Sequence, residues 1–183
     1  ESTLVVGVIG RFDPLKDFNN FVQASGLVLR DLDSVKFLMV GKGLDKDNAE
    51  LNVWIKKTLH PDNFILIGEA NPHDLLAAMD LYCLSSKAEG FPNVVAEAMA
   101  CETPCIVTDV GDAAFIVGKT GWVVPPRNSL ELAKKIEKAL IEIGSKNWNK
   151  RCYNARLRIK ENFSIGKMLQ SYNEVWSKAQ SKN

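Results

Sequence analysis

Apolar residues along the first 125 positions fall in short continuous runs, separated by stretches with helical periodicity. Six runs predict β-strands, at residues 4–10, 35–40, 64–67, 81–84, 104–107 and 122–124. Helices are predicted between them, at residues 18–30, 49–59, 72–79 and 92–101, with a short turn near 113–117. Because strands that are apolar along their length need cover on both faces, this alternation predicts an α/β fold with a Rossmann-like, doubly wound parallel sheet.

After residue 125 the pattern becomes helical only. Asn128 followed by Glu131 predicts a capping box at the start of one amphipathic helix, and a basic helix is predicted at residues 148–161. A last helix, capped by Ser164, carries apolar residues at helical spacing: Met168, Tyr172, Val175 and Trp176. Tyr172, Val175 and Trp176 either pack on the domain's own sheet or leave an exposed apolar patch. We expect one domain over residues 1–183, with its core sheet in about 1–125 and a helical part in about 126–183.

Composition and charge exclude several classes of function. The chain has 183 residues, 46% hydrophobic and 25% charged, which is typical of a globular protein with one sizeable core. Lys and Arg number 23 against 22 Asp and Glu, so a net charge of +1 provides no general attraction for nucleic acids or anionic bilayers. No apolar run approaches the roughly 20 residues that span a membrane. We therefore expect no nucleic-acid partner and no transmembrane segment.

The cysteines and histidines do not form a recognisable metal or disulfide pattern. None of the four cysteines has the paired short spacing of a zinc site: Cys83, Cys101, Cys105 and Cys152. We expect them to be small apolar side chains in a reducing, cytoplasmic protein. The chain begins at Glu1 without an initiator methionine, and we expect it to be a piece of a longer polypeptide.

Residues 85–104, SSKAEGFPNVVAEAMACETP, carry the most informative chemistry. Glu89 and Glu97 stand on either side of a Gly-Phe-Pro turn, with Glu97 inside the predicted helix. At 1.5 Å per residue, a helix entered at Pro92 carries Glu97 about 7 Å along its axis. Two carboxylates so spaced can hold two parts of an extended, hydroxyl-rich ligand, while free amides at the helix start face the space between them. A nucleotide sugar has that shape.

Glycines mark the segments that follow the predicted strands. Gly10 precedes Arg11 and Lys16, while Gly41 and Gly68 follow the next two strands. Ligands of doubly wound sheets bind at the carboxyl ends of the strands, where glycine allows close backbone approach or a positive φ. Similar turns occur in proteins without ligands, so each glycine alone is a weak signal.

These motifs resemble the retaining glycosyltransferases of family 4, the glycosyl transferases group 1, whose GT-B fold has two facing Rossmann-like domains. The resemblance extends from VIGRFDPLKDF through FLMVGKG and the block around Glu89 and Glu97 to TGWVVPP. It is strongest to bacterial enzymes of surface-polysaccharide assembly. It implies the C-terminal, donor-binding domain of a hexosyltransferase, with the N-terminal acceptor domain absent. It further implies a nucleoside-diphosphate sugar as donor and a glycan or glycolipid as acceptor. We expect UDP as the nucleotide in place of GDP, on the sole ground that UDP is the more frequent of the two.

The resemblance also implies roles for individual residues. Glu89 would contact the transferred hexose and Glu97 the ribose hydroxyls. Arg11 and Lys16 would stabilise the departing nucleoside diphosphate, so that no metal or other cofactor is needed. Backbone groups would line the donor at two places. Near the sugar and phosphates they would come from Gly90, Phe91, Asn93 and Val94. Under the nucleotide they would come from Gly10, Gly41 and Gly68. Such a fragment alone is expected to bind nucleotide weakly and to be inactive, because transfer needs a positioned acceptor.

Three features of the sequence need separate interpretation. Asp31 and Asp33 have the spacing of an Asp-x-Asp metal motif, but they lie at a predicted helix end, where solvated charge is the ordinary interpretation. Glu102 stands where the family usually has glycine, so the preceding helix must end without the residue that most readily adopts a left-handed conformation. Phe115 stands where the family often has an acidic residue, which removes a polar contact expected from that loop.

Three other functions are alternatives to a glycosyltransferase. A dinucleotide-dependent oxidoreductase is disfavoured, because the first strand leads into Gly-Arg-Phe-Asp-Pro in place of Gly-x-Gly-x-x-Gly. A non-catalytic nucleotide-binding module of the same fold stays open. A sugar-nucleotide epimerase of GT-B type is also open, although the Glu-Gly-Phe-Pro block disfavours it.

Overall fold

Six strands form one parallel sheet in the computed structural model, which describes residues 3–180. They are β1 (Val5–Ile9), β2 (Lys36–Val40), β3 (Phe64–Gly68), β4 (Leu81–Leu84), β5 (Cys105–Thr108) and β6 (Trp122–Val124). The order across the sheet is β3-β2-β1-β4-β5-β6, and every neighbouring pair is parallel. The order therefore reverses between β1 and β4, which is the topological switch point of a doubly wound sheet. The predicted Rossmann-like fold is confirmed.

Helices connect the strands and complete the chain. They are α1 (Phe18–Val28), α2 (Ala49–Lys56), α3 (Pro72–Leu76), α4 (Asn93–Ala100), α5 (Ala113–Val117), α6 (Ser129–Glu142), α7 (Lys146–Asn162) and α8 (Ile165–Gln180). Short 3-10 helices cover Pro14–Lys16 and Pro61–Asn63. All the predicted helices are present, but several end two or three residues earlier than the apolar pattern indicated.

Side-chain caps fix where the last helices begin. Asn128 accepts a hydrogen bond of 3.0 Å from the Glu131 amide and starts α6, as predicted. The other half of the capping box does not form, because the Glu131 carboxylate pairs with Lys134 at 2.8 Å. Ser145 accepts a bond from the Trp148 amide, so α7 begins two residues before the predicted position 148.

Each face of the sheet has its own apolar core. Helices α1, α2 and α6 cover one face, and α3, α4, α5 and the second half of α7 cover the other. Helix α7 contributes Trp148 to the first core and Ala155 to the second, so it passes around the β6 edge of the sheet. There the Arg151 guanidinium lies 4.0 Å from the centre of the Trp122 ring and binds both carboxylate oxygens of Glu142. This covers an edge that would otherwise be open to pairing with another chain.

Strand β3, at the opposite edge, is covered on one face only. Ile65 and Ile67 are exposed, whereas Phe64 packs against Phe37 of β2. The expectation that every strand is buried on both faces is therefore wrong for β3, since the five-residue α3 does not cover this edge.

Helix α8 buries none of its residues. Met168, Tyr172, Val175 and Trp176 are each at least half exposed and share one face of the helix. Of the two alternatives that the sequence left open, the structure shows the exposed apolar patch.

The connection after α4 contains a non-glycine residue in the left-handed region. Glu102 has φ 65°, and its carboxylate lies 3.4 Å from the guanidinium of Arg156 in an exposed ion pair. The helix therefore ends through the left-handed conformation even without glycine. A residue with a Cβ atom loses about 1 kcal/mol in this conformation.

We expect Glu102→Gly to stabilise the chain. Removing the Cβ atom relieves the backbone, while the lost exposed ion pair contributes little. The free energy of unfolding should rise by about 1 kcal/mol, which corresponds to about 2–4 °C in the thermal midpoint. Thermal unfolding followed by circular dichroism measures this, with Glu102→Ala as control. An equal gain in both variants would mean that the ion pair, and not the backbone, is the source of the effect.

Candidate functional site

The segments that follow β1 and β4 are tied together at the switch point. The Lys87 amide donates to the Leu15 carbonyl at 2.7 Å, and the Ser85 hydroxyl donates to the Lys16 carbonyl at 2.9 Å. The Lys87 ammonium also lies 3.1 Å from the buried carboxylate of Asp17. Three contacts therefore hold these two segments in one relative position.

Lys16 and Glu89 are in direct contact across this junction. The Lys16 ammonium lies 2.7 Å from Glu89 Oε1, and the Ser86 hydroxyl donates to the same oxygen at 2.6 Å. The two charged side chains are only 27% and 12% exposed, so the pair is poorly screened by water. Thr108 fixes Ser86 in turn by donating to its carbonyl oxygen. Two of the three residues predicted to be catalytic are thus joined, with their charges neutralising each other.

Arg11, the third predicted catalytic residue, lies apart from this pair. It is largely exposed, and its guanidinium lies 3.3 Å from the Asp13 carboxylate. A hydrogen bond from the Leu15 amide lowers the pKa of Asp13, and Arg11 acts in the same direction. Arg11 is therefore an exposed cation on the segment that also carries Lys16, and among residues 3–180 only Asp13 pairs with it.

The start of α4 presents backbone donors without acceptors. Pro92 occupies the N-cap position and provides no side-chain cap, while the Val95 amide bonds to the Pro92 carbonyl. In the described part of the chain, no acceptor binds the amides predicted to line the donor: Gly90, Phe91, Asn93 and Val94. Free amides at the start of a helix favour an anionic or oxygen-rich ligand.

Glu97 lies half-buried on the second turn of α4. Its neighbours Ala98 and Met99 are buried in the sheet core. Residues 3–180 offer the Glu97 carboxylate no hydrogen bond and no ion pair, in contrast with Glu89. A half-buried carboxylate with no partner is costly unless a ligand or water satisfies it, so Glu97 is available to bind hydroxyl groups.

The three glycines predicted under the nucleotide contact one another at the carboxyl edge of the sheet. The Gly41 amide donates to the Gly68 carbonyl at 2.7 Å, and the Gly10 amide donates to the Val40 carbonyl at 2.9 Å. Gly41 has φ 138°, and a Cβ atom there would lie 2.0 Å from the Gly10 carbonyl oxygen. Close backbone approach therefore requires glycine at position 41, and contact of these residues with a nucleotide stays a prediction.

Sequence reasoning missed the residues that support the Glu89 turn from behind. Gly111 has φ 50°, and a Cβ atom there would lie 2.3 Å from the carbonyl oxygens of both Glu89 and Gly90. The Asp112 amide also donates to the Gly90 carbonyl. Gly111 follows β5 in the sequence, but only the structure shows that it packs against the Glu89 turn.

An aromatic cluster lies beside the same turn. Phe91 packs on Phe163 with ring centres 5.9 Å apart, and Phe115 meets Phe163 edge-on at 5.6 Å. Arg158 donates to the Phe115 and Ile116 carbonyls. Phe115, which stands where the family often has an acidic residue, therefore belongs to a packing cluster with α7.

Two buried cysteines lie in the strands that lead to the site. Burial raises the pKa of the Cys83 and Cys105 thiols, so both stay protonated and pack as small apolar side chains, as expected. Across residues 3–180, no three His, Cys, Asp or Glu side chains are grouped as a metal site would require.

Over the same residues, no helix combines the length and the apolar character needed to cross a membrane.

Comparison with known proteins gives the family to which this chain belongs. The sequence model for "Glycosyl transferases group 1" matches residues 3–142, and the chain therefore belongs to this family. It is 27% identical over 162 residues to the capsular polysaccharide biosynthesis glycosyltransferase CapM of Staphylococcus aureus, covering 87% of this chain and 42% of CapM. It is 30% identical over 181 residues to N-acetyl-alpha-D-glucosaminyl L-malate synthase of Bacillus anthracis, covering 96% and 46% of the two chains.

A solved structure of Anabaena HepE in complex with UDP is similar in fold and sequence. The TM-score is 0.82 at 25% identity, and the match covers 96% of this chain and 49% of HepE. The fold is the Rossmann-like fold of GT-B glycosyltransferases. The chain spans less than half the length of the two curated relatives.

We expect Gly111→Ala to destabilise the chain, because the new Cβ atom would collide with the Glu89 and Gly90 backbone and would occupy a positive φ. The loss should be about 2 kcal/mol or more in the free energy of unfolding. Gly90→Ala is the matched control, since a Cβ atom there meets nothing within 4 Å. Urea unfolding measures both variants, and equal stability of the two would contradict the close packing behind Glu89.

Proposed function

We propose that this chain is the donor-binding half of a retaining hexosyltransferase. It would bind a nucleoside-diphosphate sugar, with UDP as the preferred nucleotide, for transfer to a glycan or glycolipid acceptor in bacterial surface-polysaccharide synthesis. Membership of the glycosyl transferases group 1 family supports the class of reaction. The similarity to CapM supports the polysaccharide setting, and the likeness to UDP-bound HepE supports the nucleotide. The acceptor half would lie in polypeptide outside these residues, in a cytoplasmic enzyme.

The unpartnered amides at the start of α4, between Glu89 and Glu97, are the observation that carries this proposal. They form a donor surface for phosphate and sugar oxygens, and each flanking carboxylate can accept hydrogen bonds from hydroxyls. Glu97 would hold the ribose and Glu89 the hexose. This arrangement suits a ligand with an anionic centre and a polyhydroxyl group at each end.

The positive charge for the leaving group would come from Lys16 and Arg11. Breaking the bond between the anomeric carbon and the phosphate oxygen develops negative charge on the nucleoside diphosphate. Lys16 is positioned by its ion pair, whereas Arg11 is exposed and must turn from Asp13 to reach a phosphate. Two cations in these places would provide the stabilisation that other enzymes obtain from a divalent metal.

The contact between Lys16 and Glu89 implies an exchange on donor binding. A diphosphate near Lys16 competes with the Glu89 carboxylate for the ammonium group, and hexose hydroxyls compete with Lys16 for Glu89. UDP without a sugar can replace Glu89 as the partner of Lys16, but it has no hexose hydroxyls to replace Lys16 as the partner of Glu89. Glu89 should therefore oppose UDP binding and favour binding of the complete donor.

We expect Glu97→Gln to weaken UDP binding about 10-fold, because hydrogen bonds from ribose to a neutral amide oxygen are weaker than those to a carboxylate. Isothermal titration calorimetry of the chain with UDP measures this. Glu161→Gln, on the exposed surface of α7, is the matched control and should leave the affinity unchanged. Equal affinity of all three proteins, or no UDP binding by the parent, would contradict the assigned site.

We expect Glu89→Gln to strengthen UDP binding about 5-fold, because Lys16 loses its neutralising partner while the shape of the side chain is kept. The same titration with UDP-glucose or UDP-N-acetylglucosamine should show a smaller gain or a loss, because the sugar contact is weakened. A parallel decrease for UDP and for both donors would show that Glu89 supports nucleotide binding in some other way.

A further inference from the structure

A pocket of about 500 Å³ opens between the segment 12–17 and helices α1 and α2. It lies on the α1 side of the sheet, whereas α4 and the free amides belong to the other side. The segment 12–17 is common to both places, since it lines this pocket and also carries Lys16. The proposed donor site makes no use of the pocket.

One wall of this pocket is aromatic. Phe12 and Trp54 are half-buried and lie with ring centres 5.5 Å apart at an angle of 33°. Both rings line the pocket. Ring faces of this kind pack against the apolar C–H surfaces of flat ligands such as nucleobases and pyranose rings.

The lining of the pocket also includes polar side chains, one of which has an unsatisfied group. Asn20 lines the pocket, is 5% exposed, and has a side-chain nitrogen that no acceptor within residues 3–180 binds. Buried amides in proteins almost always have a partner, and exceptions call for a ligand or a water. The exposed Gln23 side chain also lines the pocket, where its amide nitrogen donates to Asn19 and its amide oxygen accepts from Ser129. The pocket therefore combines hydrogen-bonding side chains with an aromatic surface.

The charges around the pocket nearly cancel. Asp13, Asp17 and Glu50 contribute three negative charges, against Lys87 and Arg127. Because Asp17 is already paired with Lys87, no concentration of positive charge is left that would select a phosphate. A neutral ligand with many hydroxyl groups can use both the carboxylates and the amides, which favours a carbohydrate over a nucleotide.

The pocket continues along the helices. A groove of about 710 Å³ runs between α1 and α2 and is lined by Asn19, Gln23 and Trp54, which also line the pocket. Trp54 thus stands between the two spaces. This continuity suits a linear chain of sugars, with the indole ring as the platform at its middle, more than it suits a single sugar.

Arg127 lines the pocket and has a backbone conformation that is energetically unfavourable for a residue with a Cβ atom. It has φ 58°, although it is neither glycine nor asparagine, and its side chain lines the pocket. Such conformations cost about 1 kcal/mol or more and concentrate at functional positions. Replacement by glycine would relieve the backbone and remove the guanidinium, so loss of binding in that variant could not be attributed to unfolding.

We propose that the pocket and groove between α1 and α2 form a binding site for a neutral linear oligosaccharide, centred on Trp54 and separate from the nucleotide-sugar site. The proposal stands on the Phe12 and Trp54 rings, the unsatisfied Asn20 amide and the balanced charge. It does not depend on the assignment of Glu89 and Glu97. In a polysaccharide-forming enzyme, such a site would hold the glycan at a distance from the reacting end.

Nuclear magnetic resonance of the 15N-labelled chain tests this directly, because each tryptophan gives one indole N–H signal. Maltotriose and N,N′,N″-triacetylchitotriose, the trisaccharides of glucose and N-acetylglucosamine, would be titrated separately to about 20 mM, enough to saturate a site with a dissociation constant of about 1 mM. The Trp54 signal, assigned with Trp54→Phe, should shift with at least one trisaccharide. The signals of Trp122, Trp148 and Trp176 should remain in place, and they serve as internal controls.

Substitutions of residues that line the pocket test whether the trisaccharide binds there. Gln23→Ala and Arg127→Gly should each weaken trisaccharide binding about 3- to 10-fold, as expected for one lost hydrogen-bonding side chain. Gln170→Ala, on the exposed surface of α8, is the matched control for Gln23→Ala and should have no effect. Glu97→Gln should also leave trisaccharide binding unchanged, which separates this site from the nucleotide site.

Several results would overturn the proposal. They are no Trp54 shift with either trisaccharide, an equal shift of Trp176, or unchanged affinity in both Gln23→Ala and Arg127→Gly. A Trp54 shift caused by inorganic phosphate and not by the trisaccharides would identify an anion site and would equally reject a carbohydrate site. Each of these outcomes leaves the UDP titrations unaffected.

Discussion

The junction between the segments after β1 and β4 is the constraint on which the site depends. These strands are distant in sequence but adjacent in the sheet, so their carboxyl ends open side by side. The contact of Lys87 with Leu15 and that of Ser85 with Lys16 hold the two segments together, and the ion pair of Lys16 with Glu89 forms within that frame. A parallel sheet with this strand order places residues more than 70 positions apart at hydrogen-bond distance. Without the junction, Lys16 and Glu89 would be separate solvated charges of small effect.

Backbone packing behind the junction provides rigidity. Gly41 lies against Gly10, and Gly111 lies against Glu89 and Gly90, at distances that exclude any side chain. Pro92 starts α4 without a capping side chain, and the amides around it therefore remain free. If the proposed donor binds there, a backbone packed in this way would need little ordering on binding. In the proposed function, Lys16 and Glu89 would exchange their contact with each other for contacts with phosphate and hydroxyl groups.

The segment between β1 and α1 contributes residues to two surfaces of different chemical character. On one side Lys16 contributes charge beside free amides, which suits a nucleotide sugar. On the other side Phe12 forms an aromatic wall with Trp54, where balanced charge suits a neutral sugar chain. Both surfaces lie at the carboxyl edge of the sheet, where loops can vary without disturbing the core. The exposed face of α8 is a third, purely apolar surface, and the domain itself leaves it uncovered.

The sequence by itself determined the local elements and the composition of the site. Apolar runs identified all six strands, helical periodicity identified the helices, and Asn128 identified the start of α6, because these features depend on neighbours a few residues apart. The turn around Glu89 and Glu97 was recognisable for the same reason. Only the tertiary structure decided the strand order, the pairing of Lys16 with Glu89, the position of Arg11 beside Asp13 and the support from Gly111. It also decided that Glu102 adopts a left-handed conformation and that α8 stays uncovered. These depend on which distant segments meet, and periodicity along the chain contains no information about such contacts.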